Sequence, residues 1–449
     1  MKHISPAFLV SLVTLAAFSG PFKDGDRVVC FGDSITHNQY WTRHIDNYYL
    51  TRFPEARIMF FNGGVGGDTA SGCLSRLDED VTQKRPTAIT VMFGMNDVGI
   101  SQYAEKPTSV QRDEQKRRYA AYQANMPALA ARLKMGNPDA QYYWFTPSPY
   151  DDTATLAKPA YAKANSVGLA RFAEVVRELQ KARGGTLVDM WKPMTAFNLA
   201  QQKKSPAFTL CGVDRVHPQM PGALFMAWRF LLEQHAPCFV SHTVIDAPSK
   251  ACLAHDNSEV YDIGNKGGGL SFILLEKALP WPIADESYAR IVANTTMARD
   301  LNREILSVKG LTPGMWKLSI DGELVLTASA EDFAAGIDLA DNALTPMYKQ
   351  ALAVVKKNDQ RAGLEAGKYR NLYAFRWFAS RRNVDVNDWK AVTAFINSLK
   401  GKTGWFEKMS PSYLENWPKR AAIEAELKKL REETYALNKP VAHTFTLKK

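Results

Sequence analysis

Residues 28–36 read VVCFGDSIT. Four residues of little polarity stop abruptly at Gly32, Asp33 and Ser34. A short apolar run of this kind, closed by a glycine, reads as a strand buried on both faces. The pattern delivers a serine to the strand's carboxyl tip. In an open parallel α/β sheet, ligands bind beyond those tips.

The motif recurs along the chain. ARIMFFNGG (56–64), AITVMFGMND (88–97), AQYYWFTPSP (140–149) and TLVDM (186–190) are further apolar runs ended by glycine, proline or polar residues. Between them, residues 110–134, 166–182 and 221–233 carry apolar and charged residues at helical spacing. Strands alternating with helices predict a three-layer α/β/α arrangement around a five-stranded parallel sheet. After Cys238 the texture changes. LSFILLEKAL, REILSVKGL and MWKLSIDGELVLTA are strand-like, and Asp321-Gly322 is a hairpin signal. From residue 331 the chain becomes helical again. The expected organisation is a leader over 1–20, a catalytic region over 21–240, a β-rich module over 241–330 and a basic helical region over 331–449. The leader rests on Lys2, an apolar stretch from Pro6 to Phe18, and the small residues Ala17, Ser19 and Gly20. It implies export to a periplasmic or extracellular compartment of a bacterium.

At the functional edge of the sheet, four elements supply chemistry. Ser34 follows the first strand, FNGGVGGDTASG (61–72) follows the second, Asn96 follows the third, and GVDRVHPQMPG (212–222) holds Asp214 and His217 three residues apart. A serine hydroxyl needs a base to become a nucleophile. His217 can take its proton, with Asp214 fixing the imidazole tautomer. A tetrahedral intermediate needs donors for its oxyanion. The backbone N–H groups of Ser34 and Gly67 and the side-chain amide of Asn96 can serve. The glycine spacing is not that of a dinucleotide-binding loop.

Gly-Asp-Ser, a glycine block, Gly-x-Asn-Asp and Asp-x-x-His-Pro, in that order over residues 27–235, resemble the SGNH hydrolase family, the GDSL-like esterases. The resemblance implies a flavodoxin-like sheet. It also implies ester hydrolysis through an acyl-enzyme, without metal or organic cofactor. It makes Ser34, His217 and Asp214 the catalytic residues and Ser34, Gly67 and Asn96 the oxyanion donors. Exported members with added β modules resemble carbohydrate O-acetylesterases, so the expected partner is an acetylated carbohydrate or another small ester. Asp33, Tyr40, Trp41 and Tyr150 are the candidate substrate-binding residues, the aromatic ones as stacking faces for a sugar. Two other readings use the same sequence: a lipase, lysophospholipase or thioesterase on the same residues, and a glycan-binding surface protein.

The net charge of +10 lies wholly in the last quarter, where 21 Lys and Arg face 11 Asp and Glu from Asp341 onward. Such a region could hold an anionic polymer or envelope surface. No nucleic-acid motif accompanies it. His235, Cys238, His242, Cys252 and His255 cluster without a zinc spacing. A Cys238–Cys252 disulfide is expected instead, with an odd thiol left among five cysteines.

Overall fold

The apolar runs become five parallel strands in the computed structural model, which describes residues 22–283 and 285–449. The expected leader lies outside the described residues. The strands are β1 (Arg27–Gly32), β2 (Met59–Gly64), β3 (Ala88–Met92), β4 (Gln141–Phe145) and β5 (Thr186–Val188), ordered β2-β1-β3-β4-β5. Every residue of β3 and all but the first of β1 are buried, which is why both read as continuous apolar runs. In this order the winding reverses between β1 and β3, and the crevice at such a switch point is the ligand site of open α/β sheets. Ser34 and Asn96 lie just beyond those two strands.

Helices Tyr40–Arg52, Ser109–Gly136, Ala170–Arg183, Trp191–Gln202 and Met220–Glu233 cover the sheet. The first carries no amphipathic signal, because 11 of its 13 residues are buried. Its inner face packs on the sheet, and its polar outer face is covered by the last third of the chain.

Two smaller sheets follow. In one, Phe239–Asp246 runs parallel to Arg303–Lys309 and antiparallel to Ala251–Asp256, with the short Ile337–Asp338 at the edge. The other joins Ser258–Lys266, Gly269–Glu276, Met315–Ile320 and Glu323–Ser329 to the final strand, His443–Lys448. Asp321 and Gly322 turn the predicted hairpin, both at positive φ (51° and 88°). The final strand went unread within a region expected to be helical. It alternates buried His443, Phe445 and Leu447 with half-buried threonines. The rest of that region is helical, chiefly Pro346–Leu364, Arg370–Ser380, Trp389–Ser398, Trp405–Asn416 and Arg420–Leu437.

The expected Cys238–Cys252 bridge is not formed; all five cysteines are free thiols. Cys252 stands opposite Ile245 in the antiparallel pair, and Cys238 precedes that strand's first residue. About seven residues of extended chain, roughly 20 Å, separate position 238 from the one facing Cys252. A disulfide spans far less.

Packing crosses the limits expected at residues 240 and 330. Trp281, Ile283, Ile291, Met297 and Leu301 join the core around the parallel sheet. Leu50 of Tyr40–Arg52 joins a second core with Phe272, Leu318, Val354 and Tyr435. Buried charge ties the same parts together. Asp46, 2% exposed, accepts from Arg361 at 3.0 Å and from Arg431 at 2.6 and 3.0 Å. Burial works against its charge, and the two guanidiniums outweigh burial and hold the carboxyl below its usual range. Arg370 donates to both oxygens of buried Asp80 at 2.6 Å. Three arginines of the basic region are therefore turned inward. Replacing Asp46 with alanine removes the carboxylate that pairs Arg431 and leaves Arg361 only the Glu365 carboxylate, at 2.6 Å. Asp46→Ala is expected to lose about 3–5 kcal/mol in denaturant unfolding.

Candidate active site

Asp33 follows β1 and caps the short helix Ser34–His37, its Oδ1 accepting the Ile35 N–H at 3.0 Å. The cap is Asp33, not Ser34. Ser34 is then the first helical residue, so its N–H has no intrahelical acceptor. Its hydroxyl is half-buried and 2.7 Å from His217 Nε2. On the other side of the ring, Nδ1 is 2.6 Å from Asp214 Oδ2. A carboxylate accepts the Nδ1 proton, which leaves Nε2 free to accept from the serine hydroxyl.

The loop that carries His217 is locally determined. Asp214 Oδ1 accepts from the N–H groups of Val216 and His217 at 3.0 and 2.9 Å, closing a tight turn. Arg215, inside that turn, has φ 69° and is 3% exposed. A left-handed arginine is strained. Here its guanidinium compensates by donating to the carbonyls of Asp151, Ala154 and Lys158 at 2.7–3.1 Å. Burial opposes a charge on His217, but the hydrogen bond and charge of Asp214, aided by Asp33, outweigh it and raise the ring above its ordinary 6.5. Asp214 is held at about 2: burial pushes it up, and His217 with the two backbone donors overrides that. Asp33 is 2% exposed, and burial lifts it to about 6.

Gly67, exposed and at φ 75°, follows β2 in a turn that an L side chain would strain. Asn96 lies beside it, its amide donating to the Asp68 carbonyl at 3.0 Å and to Asp33 Oδ2 at 3.4 Å. The glycine block answers a second demand. A Cβ on Gly64 would fall 2.2 Å from the His37 backbone nitrogen, so only glycine lets β2 approach the serine helix this closely. Beneath the block, Arg76 donates to Asp68 at 2.7 Å, to Asp80 at 2.6 Å, and to the carbonyls of Gly32 and Gly63 at 2.9 and 2.6 Å.

The structure thus brings together Ser34, His217, Asp214, Asp33, Gly67 and Asn96. It does not bring the aromatic candidates to the same place. Trp41 is 1% exposed and packs against Phe145 and Phe230 under the sheet. Tyr150 is fully buried, its hydroxyl accepting the Tyr161 N–H at 3.2 Å. Neither has a face free for a sugar. Tyr40 is half-buried beside the serine helix, with the Arg43 guanidinium 5.8 Å from its ring. Trp405, a residue not anticipated, comes from the far end of the chain. Its ring lies 5.2 Å from that of His37, and a Cβ on Gly66 would be 2.9 Å from it. Arg370, equally unanticipated, donates to the Gly64 carbonyl at 2.7 Å. Nothing in local spacing marks either residue; each is an aromatic or basic position on a helix.

The model of the GDSL-like lipase/acylhydrolase family matches residues 30–223. Over nearly its whole length the chain also resembles a solved gut microbial diltiazem-metabolizing enzyme. The identity is 34% and the TM-score 0.88, with 96% of this chain and 99% of that one covered. The chain belongs to the SGNH, or GDSL-like, hydrolase family. Among curated SGNH relatives, an acetylxylan esterase of Geobacillus stearothermophilus is 28% identical over 232 residues, 46% of this chain and 94% of that protein. An uncharacterized lipoprotein of Bacillus subtilis, YqeF, is 26% identical over 204 residues, 43% of this chain and 80% of that one. Each of these two matches covers less than half of this SGNH hydrolase, whereas the match to the diltiazem-metabolizing enzyme covers 96% of it. Membership of this lipase/acylhydrolase family makes the protein an esterase. No helix among the described residues is long and apolar enough to cross a membrane.

The His217–Asp214 contact makes a spectroscopic prediction. By NMR titration the His217 ring should protonate with a midpoint above 6.5. In Asp214→Asn the larger raising influence is gone, leaving that of Asp33 against burial, so the midpoint should fall.

Proposed function

We propose that this SGNH hydrolase is an exported serine esterase that removes short acyl groups, acetate foremost, from carbohydrate. The observation that carries the reading is the line from Ser34 Oγ to His217 Nε2 at 2.7 Å and from Nδ1 to Asp214 at 2.6 Å. In the proposed cycle His217 takes the hydroxyl proton as Ser34 attacks the ester carbonyl. Asp214, ionised down to about pH 2, stabilises the imidazolium. The negative oxygen is met by the N–H groups of Ser34 and Gly67 and by the Asn96 amide, which turns from its ground-state acceptors toward the stronger anionic one. His217 then protonates the leaving alcohol, and water, activated by the same base, releases the acid.

Acetate is favoured by the relative that is named an acetylxylan esterase. Export is supported by the reading of residues 1–20 and by the lipoprotein relative.

Hydrolysis of p-nitrophenyl esters of increasing length tests the acyl preference. Acetate should turn over fastest; faster turnover of octanoate would replace this reading with that of a lipase. Asn96→Ala should lower kcat by about 10²–10³ with KM little changed, since the amide acts on charge present only in the transition state. An intact kcat in a protein of lowered melting temperature would make Asn96 a structural residue only. Activity requires the neutral imidazole, so kcat/KM should fall as pH drops through a midpoint above 6.5.

A further inference from the structure

A cavity of about 300 Å³ adjoins the serine helix. One wall is formed by His37, Gln39, Tyr40 and Arg43, from the first turn after Ser34 and the start of Tyr40–Arg52. The facing wall comes from more than 320 residues later in the chain: Gly363, Gly367, Asn371 and Trp405. The volume is at the lower end of what ligand pockets offer, room for one small ring.

Its chemistry is unusual for a chance gap. Gln39 is 6% exposed, lines the cavity, and its Oε1 has no hydrogen-bond partner. An acceptor buried in this way is costly unless something fills its place. Its backbone is left-handed (φ 57°, ψ 18°), a strain of the kind that functional sites hold. Arg43 also lines the cavity; its Nε is paired with the Asp359 carboxylate at 3.3 Å, so the guanidinium does not call for an anion. Across the cavity the helix bulges into a π-helical turn, Glu365–Tyr369, a feature frequent at functional sites. At Gly363 and Gly367 a Cβ would meet nothing within 4 Å, so the space in front of them is open. Trp405 is 46% exposed, and it touches both the cavity and Gly66. Gly66 is one peptide, about 3.8 Å, from Gly67.

A free acceptor and aromatic faces ask for a ligand that donates and stacks. A carboxylate would confront the Gln39 oxygen and Asp359, and an amine would confront Arg43. A neutral hydroxyl satisfies Gln39 without confronting either the Arg43 or the Asp359 charge, and the C–H face of a ring suits Tyr40 and Trp405. We propose that this cavity is the subsite for the alcohol part of the substrate and takes one neutral polyhydroxylated ring, a saccharide unit, between Gln39, Arg43 and Trp405. The assignment rests on the esterase reading and locates the leaving group within it. It also gives the second half of the chain a role in choosing the substrate.

Two variants test it. Gln39→Gly removes the amide while suiting the left-handed backbone, and Gly367→Leu fills the open space. The probes are p-nitrophenyl acetate and a mono-acetylated xylo-oligosaccharide. The ratio of kcat/KM for the oligosaccharide to that for the aryl acetate should fall about tenfold in Gln39→Gly, the upper range for one neutral hydrogen bond, and at least as far in Gly367→Leu, which excludes the ring. An unchanged ratio in both variants overturns the subsite, as does a wild-type enzyme that cleaves the aryl acetate but no acetylated saccharide. Failure of the wild type on both esters would instead remove the esterase reading. The subsite is then decided by calorimetric binding of the xylo-oligosaccharide to Ser34→Ala protein with and without Gly367→Leu. Binding abolished by the leucine supports it, and equal or absent binding overturns it.

Discussion

Asp80, buried below the loop that follows β2, is shared by two guanidiniums brought from opposite halves of the chain. Arg76 reaches it from one helical turn away and Arg370 from 290 residues away. A buried carboxylate is expensive unless it is paired and its lone pairs are filled. The pairing here does more than settle that cost. The remaining N–H groups of the same arginines take the carbonyls of Gly32, Gly63 and Gly64, where β1 and β2 run out of sheet partners. The carboxyl tips of two strands, one leading to Ser34 and the other to Gly67, are thereby held in register by one ion cluster. The helical region that supplies Arg370 is part of that clamp.

A second cluster around Asp46 does the same on the outer face of Tyr40–Arg52, with Arg361 and Arg431 as donors. Further contacts follow the same route: Asn358 on Asn47 at 2.7 Å and Asn438 on the Leu50 carbonyl at 2.9 Å. The basic excess of the last quarter is therefore partly internal. Charge counted along a sequence suggested a surface, whereas the fold uses several of those charges to bury a polar helix face. The same docking brings Trp405 to the glycine loop and puts the cavity of Gln39 beside the serine.

Much of the site follows from short-range rules, and those parts were legible. A strand ending in Gly-Asp-Ser needs only its own capping bond to place the serine. The Asp214–His217 turn closes on its own backbone, and the glycine loop is set by a positive φ and a close approach. The sugar-stacking role given to Trp41 and Tyr150 failed for a reason of the same kind. Proximity in sequence to Ser34 or to a strand end does not say which way a side chain faces, and both rings point into the core. The disulfide expected between Cys238 and Cys252 failed because short separation along the chain was read as nearness, while strand register places the two apart.

The sequence by itself determined the parallel sheet, its switch point and the residues assembled at its edge, because apolar periodicity, turn chemistry and local caps act within a few residues. It also held the hairpin at Asp321-Gly322, for the same reason. Only the tertiary structure decided that the second half of the chain would close over the first. That choice rests on ion pairs and packing between residues some three hundred positions apart, where no local pattern records which arginine meets which aspartate, or that Trp405 would come to rest against Gly66.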